Sequence, residues 1–144
     1  MKTIFIFLTV FLSQCAPKQT ENAMAENTVE VSDTILLNTK EFVTIGNGYE
    51  MKISKFVSDS RCPEGVNCVW IGQVEMNVAV YKSKKLVEEK LILVTSTTFE
   101  ENKKWFAKYI FGDNKSITSI EVKPNRVKDI EIKENEYLLE ILSK

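Results

Sequence analysis

Apolar and polar residues alternate one by one along much of this chain. Val29 and Val31 alternate with Thr28 and Glu30, and Tyr49, Met51 and Ile53 with Glu50, Lys52 and Ser54. Val74, Met76, Val78 and Val80 follow the same rule, as do Ile130 and Ile132, then Tyr137, Leu139 and Ile141. A period of two sends successive side chains to opposite faces of a strand, one toward a core and one toward water, as in antiparallel sheets. Turn chemistry falls between these runs. Gly46-Asn47-Gly48 and Gly112-Asp113-Asn114 supply the positive φ values of tight hairpins. Ser83-Lys84-Lys85 breaks the chain before Leu86–Val94, and Pro124-Asn125 ends a strand over Ile117–Val122. The pattern predicts an all-β fold of about eight strands, an antiparallel Greek-key-like sandwich or partly open barrel.

One segment reads two ways. Thr98-Phe99-Glu100-Glu101 suits a helix start, and a helix sets Phe99, Phe106 and Ile110 on one side. A strand over Phe106–Phe111, paired with Ile117–Val122, competes with it. The expectation adopted is a short helical turn near 98–105 followed by the strand. Glu134-Asn135-Glu136-Tyr137-Leu138-Leu139 resembles the tyrosine corner of Greek-key sandwiches, which implies a Tyr137 hydroxyl bonded back to the preceding loop.

The amino terminus carries Lys2 and then the nine-residue apolar run Ile4–Leu12, interrupted only by Thr9. Spanning a bilayer takes about 20 residues, so the run reads as a signal-peptide core. Leu12-Ser13-Gln14-Cys15 resembles the lipobox of bacterial lipoprotein precursors, with Gln14 where that motif usually has Gly, Ala or Ser. The resemblance implies removal of residues 1–14 and lipidation of Cys15. Ala16 in place of aspartate resembles outer-membrane sorting. The competing reading is a secreted protein cut after Ala23-Met24-Ala25, thirteen residues past the apolar core. Both place the protein outside the cytoplasm. Residues 16–27 are polar and aperiodic and read as a tether with an end-to-end distance of about 20 Å. Residues 28–144 then form a single β-domain.

The chain has 19 basic and 20 acidic residues and no histidine. No segment gathers Lys and Arg on one face strongly enough to suggest nucleic acid. The absence of histidine removes the usual base near neutral pH. Glu88-Glu89 and Glu100-Glu101 diverge if they lie in strands and read as solvated surface charge. No constellation argues for catalysis, a cofactor or a metal.

The most distinctive internal stretch runs from Asp59 through Cys62, Cys68 and Trp70 to Gly72. In an exported protein the two cysteines most simply form a disulfide, worth roughly 2 kcal/mol for so short a loop. Zinc is disfavoured because there is no second cysteine pair and no histidine. Redox catalysis is disfavoured because it uses a Cys-x-x-Cys pair. The loop joins strands 49–58 and 69–82. Cys68, Trp70, Gly72 and Val74 share parity, which places Trp70 on the core face beside the disulfide. Asp59, Arg61, Glu64 and Asn67 form a candidate binding loop; alternatively Arg61 pairs with Asp59 or Glu64 and the set only shapes the turn.

Asp-Ser-Arg-Cys-Pro-x-x-Val-x-Cys-Val-Trp-x-Gly resembles a group of small bacterial exported proteins and lipoproteins of all-β type. The likeness extends to Ser119–Pro124 and Asn135–Ile141. It implies fold and location and carries no activity. The functional expectation is a non-catalytic, lipid-anchored envelope domain with a binding or accessory role through residues 59–72, with an envelope protein as partner. The alternatives are a structural or assembly lipoprotein that uses its sheet, and a protease-inhibitor-like module. Tyr81, Trp105, Phe106 and Tyr109 are candidates for apolar contact or for the core.

Overall fold

The structure, a computed structural model, describes residues 33–110 and 116–144. The expected signal peptide, Cys15, the tether, the strand at Val29 and Val31, and the Gly112–Asn114 turn lie outside those residues. Seven strands are described, in two antiparallel sheets: β1 (Asp33–Leu37), β2 (Val43–Thr44), β3 (Tyr49–Asp59), β4 (Val74–Lys82), β5 (Lys85–Val94), β6 (Ile117–Lys123) and β7 (Leu138–Ser143). One sheet has the order β1-β7-β6 and the other β2-β3-β4-β5. The fold is mostly β and the sheets do not close into a barrel.

The alternation in the sequence builds the core between these sheets. Val74, Met76, Val78 and Val80 of β4 are fully buried, with Met51 and Ile53 of β3 and Leu139 and Ile141 of β7. Each such side chain contributes about 1.5–3 kcal/mol of hydrophobic stabilisation. The register of β3 against β4 shifts at Ile53/Lys55 and again at Phe56/Ser58. These bulges reset its parity, so Phe56 packs against the core and stacks on Tyr137 with centroids 4.1 Å apart.

The hairpins follow local turn chemistry. Asn47 (φ 53°) and Gly48 (φ 75°) turn β2 into β3, closed by the Tyr49 amide donating to the Gly46 carbonyl at 2.9 Å. Ser83 (φ 50°) and Lys84 (φ 63°) form the two-residue link between β4 and β5, with neither Gly nor Asn in the left-handed positions.

The two sheets join on one side, where the Ile53 amide donates to the Asn38 carbonyl at 2.9 Å. On the other side α1 (Phe99–Ile110) lies between β5 and β6. The expected strand at 106–111 is therefore corrected: residues 106–110 complete a helix. Asn102, Trp105, Phe106, Tyr109 and Ile110 are its buried positions, spaced i, i+3, i+4, i+7 and i+8. Glu100 and Glu101 in the first turn and Lys108 in the last match the helix dipole.

Polar contacts fix α1 to β5. The Asn102 side-chain amide donates to the Leu93 carbonyl at 2.8 Å, satisfying an acceptor on the outer edge of β5. Glu88 accepts from the Trp105 indole at 2.7 Å and from the Tyr109 hydroxyl, and Lys90 pairs with Glu101 at 2.8 Å. Glu88 is thus not merely solvated charge but holds the helix through Trp105 and Tyr109, whereas Glu89, Glu100 and Glu101 are exposed as expected.

The segment around Ile130 and Ile132 is not a strand. Asp129 has φ 60°, Ile130 is 62% exposed, and the described pairing nearby is a single parallel bridge, Glu64 with Val127. A 3-10 turn at Glu134–Glu136 then leads into Tyr137 and β7.

Candidate binding site in the stapled loop

The loop between β3 and β4 is clamped at its neck. The Ser60 amide donates to the Gln73 carbonyl at 2.8 Å, and the Gln73 amide donates to the Ser60 hydroxyl at 3.1 Å. Gly72 lies flat against the neck: a Cβ there would sit 2.3 Å from the Arg61 Cα and 2.5 Å from the Ser60 carbonyl oxygen. No other residue fits without opening the loop.

Beyond the neck, Cys62 and Cys68 are disulfide-bonded, with Cα atoms 5.9 Å apart. Pro63-Glu64-Gly65-Val66 turns inside the bridge, the Val66 amide donating to the Pro63 carbonyl at 3.2 Å. Gly65 takes φ 80°, the value a type II turn requires at its third residue.

The polar residues singled out in the sequence hold this shape. Asp59 accepts from the Arg61 amide at 2.9 Å, from Arg61 Nε at 3.0 and 3.1 Å, from Arg61 Nη2 at 2.7 Å and from the Tyr137 hydroxyl at 3.2 Å. The Asp59 side chain is only 4% exposed and that of Arg61 20%. Burial pushes the Asp59 carboxyl up, but the hydrogen bonds and charge of Arg61, with the Tyr137 hydroxyl, outweigh it and leave the pKa below its ordinary value.

Arg61 also reaches the end of β6, donating to the carbonyls of Val122 at 2.7 Å and Pro124 at 2.8 Å. Arg126 reaches back from the following segment to the carbonyls of Arg61 at 2.9 Å and Asp59 at 3.3 Å. Glu64 accepts from Asn125 at 2.9 Å, and its amide donates to the Arg126 carbonyl at 2.8 Å. Asp59, Arg61 and Glu64 therefore shape the loop, and Asn67 is exposed at its tip.

Two aromatic expectations change. Trp70 is 60% exposed and not in the core. The parity argument fails because β4 begins at Val74, and residues 69–73 bend around the Gly72 contact. The indole Nε1 donates to the Ser60 carbonyl at 3.3 Å, which pins the ring at the surface. Tyr137 is buried just before β7, but its hydroxyl serves the Asp59 carboxylate and not the backbone of the preceding loop.

Beside the exposed Glu64 and Asn67, the loop displays an apolar stretch. Val69 is 97% and Ile71 74% exposed, on either side of Trp70. Below it, an open cleft of about 360 Å³ is lined by Arg61, Gly72, Thr95, Ser96, Glu121 and Asn125. Its guanidinium is already committed to Asp59 and to the β6 carbonyls. Among the described residues no group of three or more His, Cys, Asp or Glu side chains converges as a metal site requires.

Sequence reasoning missed Arg126, Asn125 and the displayed pair Val69 and Ile71. A signal for Arg126 existed. The chain has only two arginines among its 19 basic residues, and both sit in this lock, where planar forks satisfy carboxylate and carbonyl acceptors that a lysine cannot span. Compared with models of protein families, with curated proteins and with solved structures, the chain gave no match.

Proposed function

We propose that this chain is a non-catalytic, lipid-anchored protein of the cell envelope that captures a protein partner through the apolar tip of its stapled loop. The carrying observation is the exposure of Val69, Trp70 and Ile71 on a loop immobilised by a disulfide, two arginines and the Gly72 contact. A preorganised loop loses little conformational entropy on binding. An exposed tryptophan flanked by aliphatic side chains is the composition of an interface anchor. The partner is an envelope protein with an apolar cleft that receives the Trp70 ring.

Topology supports outward presentation. Asp33, where the described chain begins, pairs with Ser143 at one end of its sheet. The stapled loop bonds to Val122 and Pro124 at the other. The strands between span about 20 Å. An anchor at Cys15 would attach through Asp33, leaving the tip on the side away from lipid.

Arg61 and Glu64 are unsuitable probes because their loss opens the loop. Val69→Ser and Ile71→Ser remove displayed apolar surface from a segment with few supporting contacts. Crosslinked pulldown from envelopes with lipidated protein is expected to recover a defined partner with wild type, and to lose it with the double variant at unchanged melting temperature. Retention of the partner by the double variant overturns the reading and moves the contact to the sheet surface.

A further inference from the structure

The end of the molecule opposite the stapled loop gathers lysines. The β4–β5 link reads Lys82-Ser83-Lys84-Lys85, and all four residues are exposed. Lys82 and Lys85 face each other directly across the two strands, an arrangement of like charges that destabilises a hairpin. Lys84 adds a third charge from a left-handed backbone position. The Lys82 ammonium sits 4.5 Å from the centre of the Tyr49 ring.

The carboxyl end of α1 arrives at the same place. A Cβ on Gly46 would lie 3.1 Å from the Ile110 carbonyl oxygen, and Tyr49 meets Tyr109 with centroids 5.3 Å apart. Lys108, in the last helical turn, is exposed beside them. The carboxylates toward this end include Asp33, Glu50 opposite Tyr81, exposed Glu89, to which the Ser54 hydroxyl donates, and Glu88, which Trp105 and Tyr109 engage. The opposite end exposes Glu64, Asp129, Glu131, Glu134 and Glu136 interleaved with Lys128 and Lys133.

We propose that the lysine-bearing end, from which the chain leads back through Asp33 to Cys15, rests on an anionic phospholipid surface. Lys82, Lys84, Lys85 and Lys108 meet the headgroups. Phosphate charge relieves the repulsion between Lys82 and Lys85 that the isolated hairpin carries. The proposal rests on the lipid-anchored reading and extends it from attachment to orientation: the basic end faces lipid and the Trp70 tip faces away. Each lysine near such a surface is worth about fivefold in partitioning at moderate salt.

The test is co-sedimentation of the full chain, purified after expression and processing in bacterial cells, with vesicles of phosphatidylcholine alone and of phosphatidylcholine mixed with phosphatidylglycerol. Phosphatidylglycerol is expected to strengthen binding, and the added strength to vanish at about 0.5 M salt. Lys84→Gln with Lys85→Gln, both exposed, removes about 25-fold of that increment, whereas Lys128→Gln with Lys133→Gln at the far end leaves it intact. An increment unchanged by the first pair, or lost equally with the second, overturns the proposal. Failure of the anchor reading looks different: neutral vesicles then bind nothing while the salt-sensitive increment persists.

Discussion

Arg61 and Arg126 hold each other's backbone surroundings: Arg126 donates to the Arg61 carbonyl at 2.9 Å, while Arg61 donates to the Pro124 carbonyl two residues before Arg126. The crossing joins a loop between two strands of one sheet to the exit of a strand in the other. Arg61→Ala leaves the Asp59 carboxylate buried without its cation, so the expected loss is about 3–5 kcal/mol. Arg126→Ala strands two carbonyls nearer to water and is expected to lose about 1–3 kcal/mol. Urea unfolding of both variants checks the order. Equal and small losses would show that the crossing contributes little.

The stability of the fold is expected to fall at both extremes of pH. Asp59 is held below its ordinary pKa against burial by Arg61 and Tyr137. Glu88 is lowered first by the Tyr109 hydroxyl and then by the Trp105 indole, again against burial. A depressed carboxyl contributes stability that is complete above its unfolded pKa and lost as pH falls through the folded one. These carboxyls therefore leave stability unchanged from about pH 5 into the neutral range and lower it below about pH 4. Asp59→Asn should flatten part of the drop in melting temperature recorded from pH 5 to pH 2.

At the alkaline end the sign reverses. Burial, then the hydrogen bond and charge of Glu88, push the Tyr109 hydroxyl up to about 12 from 10.0. A raised pKa contributes stability that is full below the unfolded value and lost as pH rises through the folded one. The loss runs from about pH 10 to about 12. Absorbance at 295 nm should show Tyr109 ionising last or together with unfolding, and Tyr109→Phe should remove that late component.

Two glycines of one loop are expected to behave differently. Gly72→Ala drives a Cβ into the Arg61 backbone and forces the neck apart, a loss on the order of 3 kcal/mol. Gly65→Ala meets nothing within 4 Å and bears only its left-handed backbone, about 1 kcal/mol. Comparable melting temperatures for the two variants would contradict the flat packing at Gly72.

The link between β4 and β5 offers a gain. Ser83→Asn with Lys84→Gly places residues suited to left-handed backbone at φ 50° and 63° and is expected to stabilise by about 1 kcal/mol. A lower melting temperature for this variant would argue against the turn geometry.

The described strands were legible in the sequence because burial on one face writes itself as a period of two, although the same alternation at Ile130 and Ile132 belongs to no strand. The helix was not. Its buried row, Asn102, Trp105, Phe106, Tyr109 and Ile110, keeps helical spacing, but it opens on a polar residue whose burial depends on the Leu93 carbonyl. Tertiary contact, not local pattern, made Asn102 part of the core. The same holds for the loop. Its disulfide and its Asp59–Arg61 pair were readable from cysteine pairing and local charge, whereas the surface placement of Trp70 depends on a glycine touching backbone eleven residues away. Arg126 acts through a contact 65 residues distant.

The hydrogen bond from Asn102 to Leu93 also bears on how the protein can fail. It helps hold α1 against β5, an edge strand whose unpaired backbone groups can serve as a template for a strand of another molecule. Variants that loosen α1 while sparing the sheets should therefore assemble into intermolecular β-structure before they unfold, with the helix acting as a guard against polymerisation.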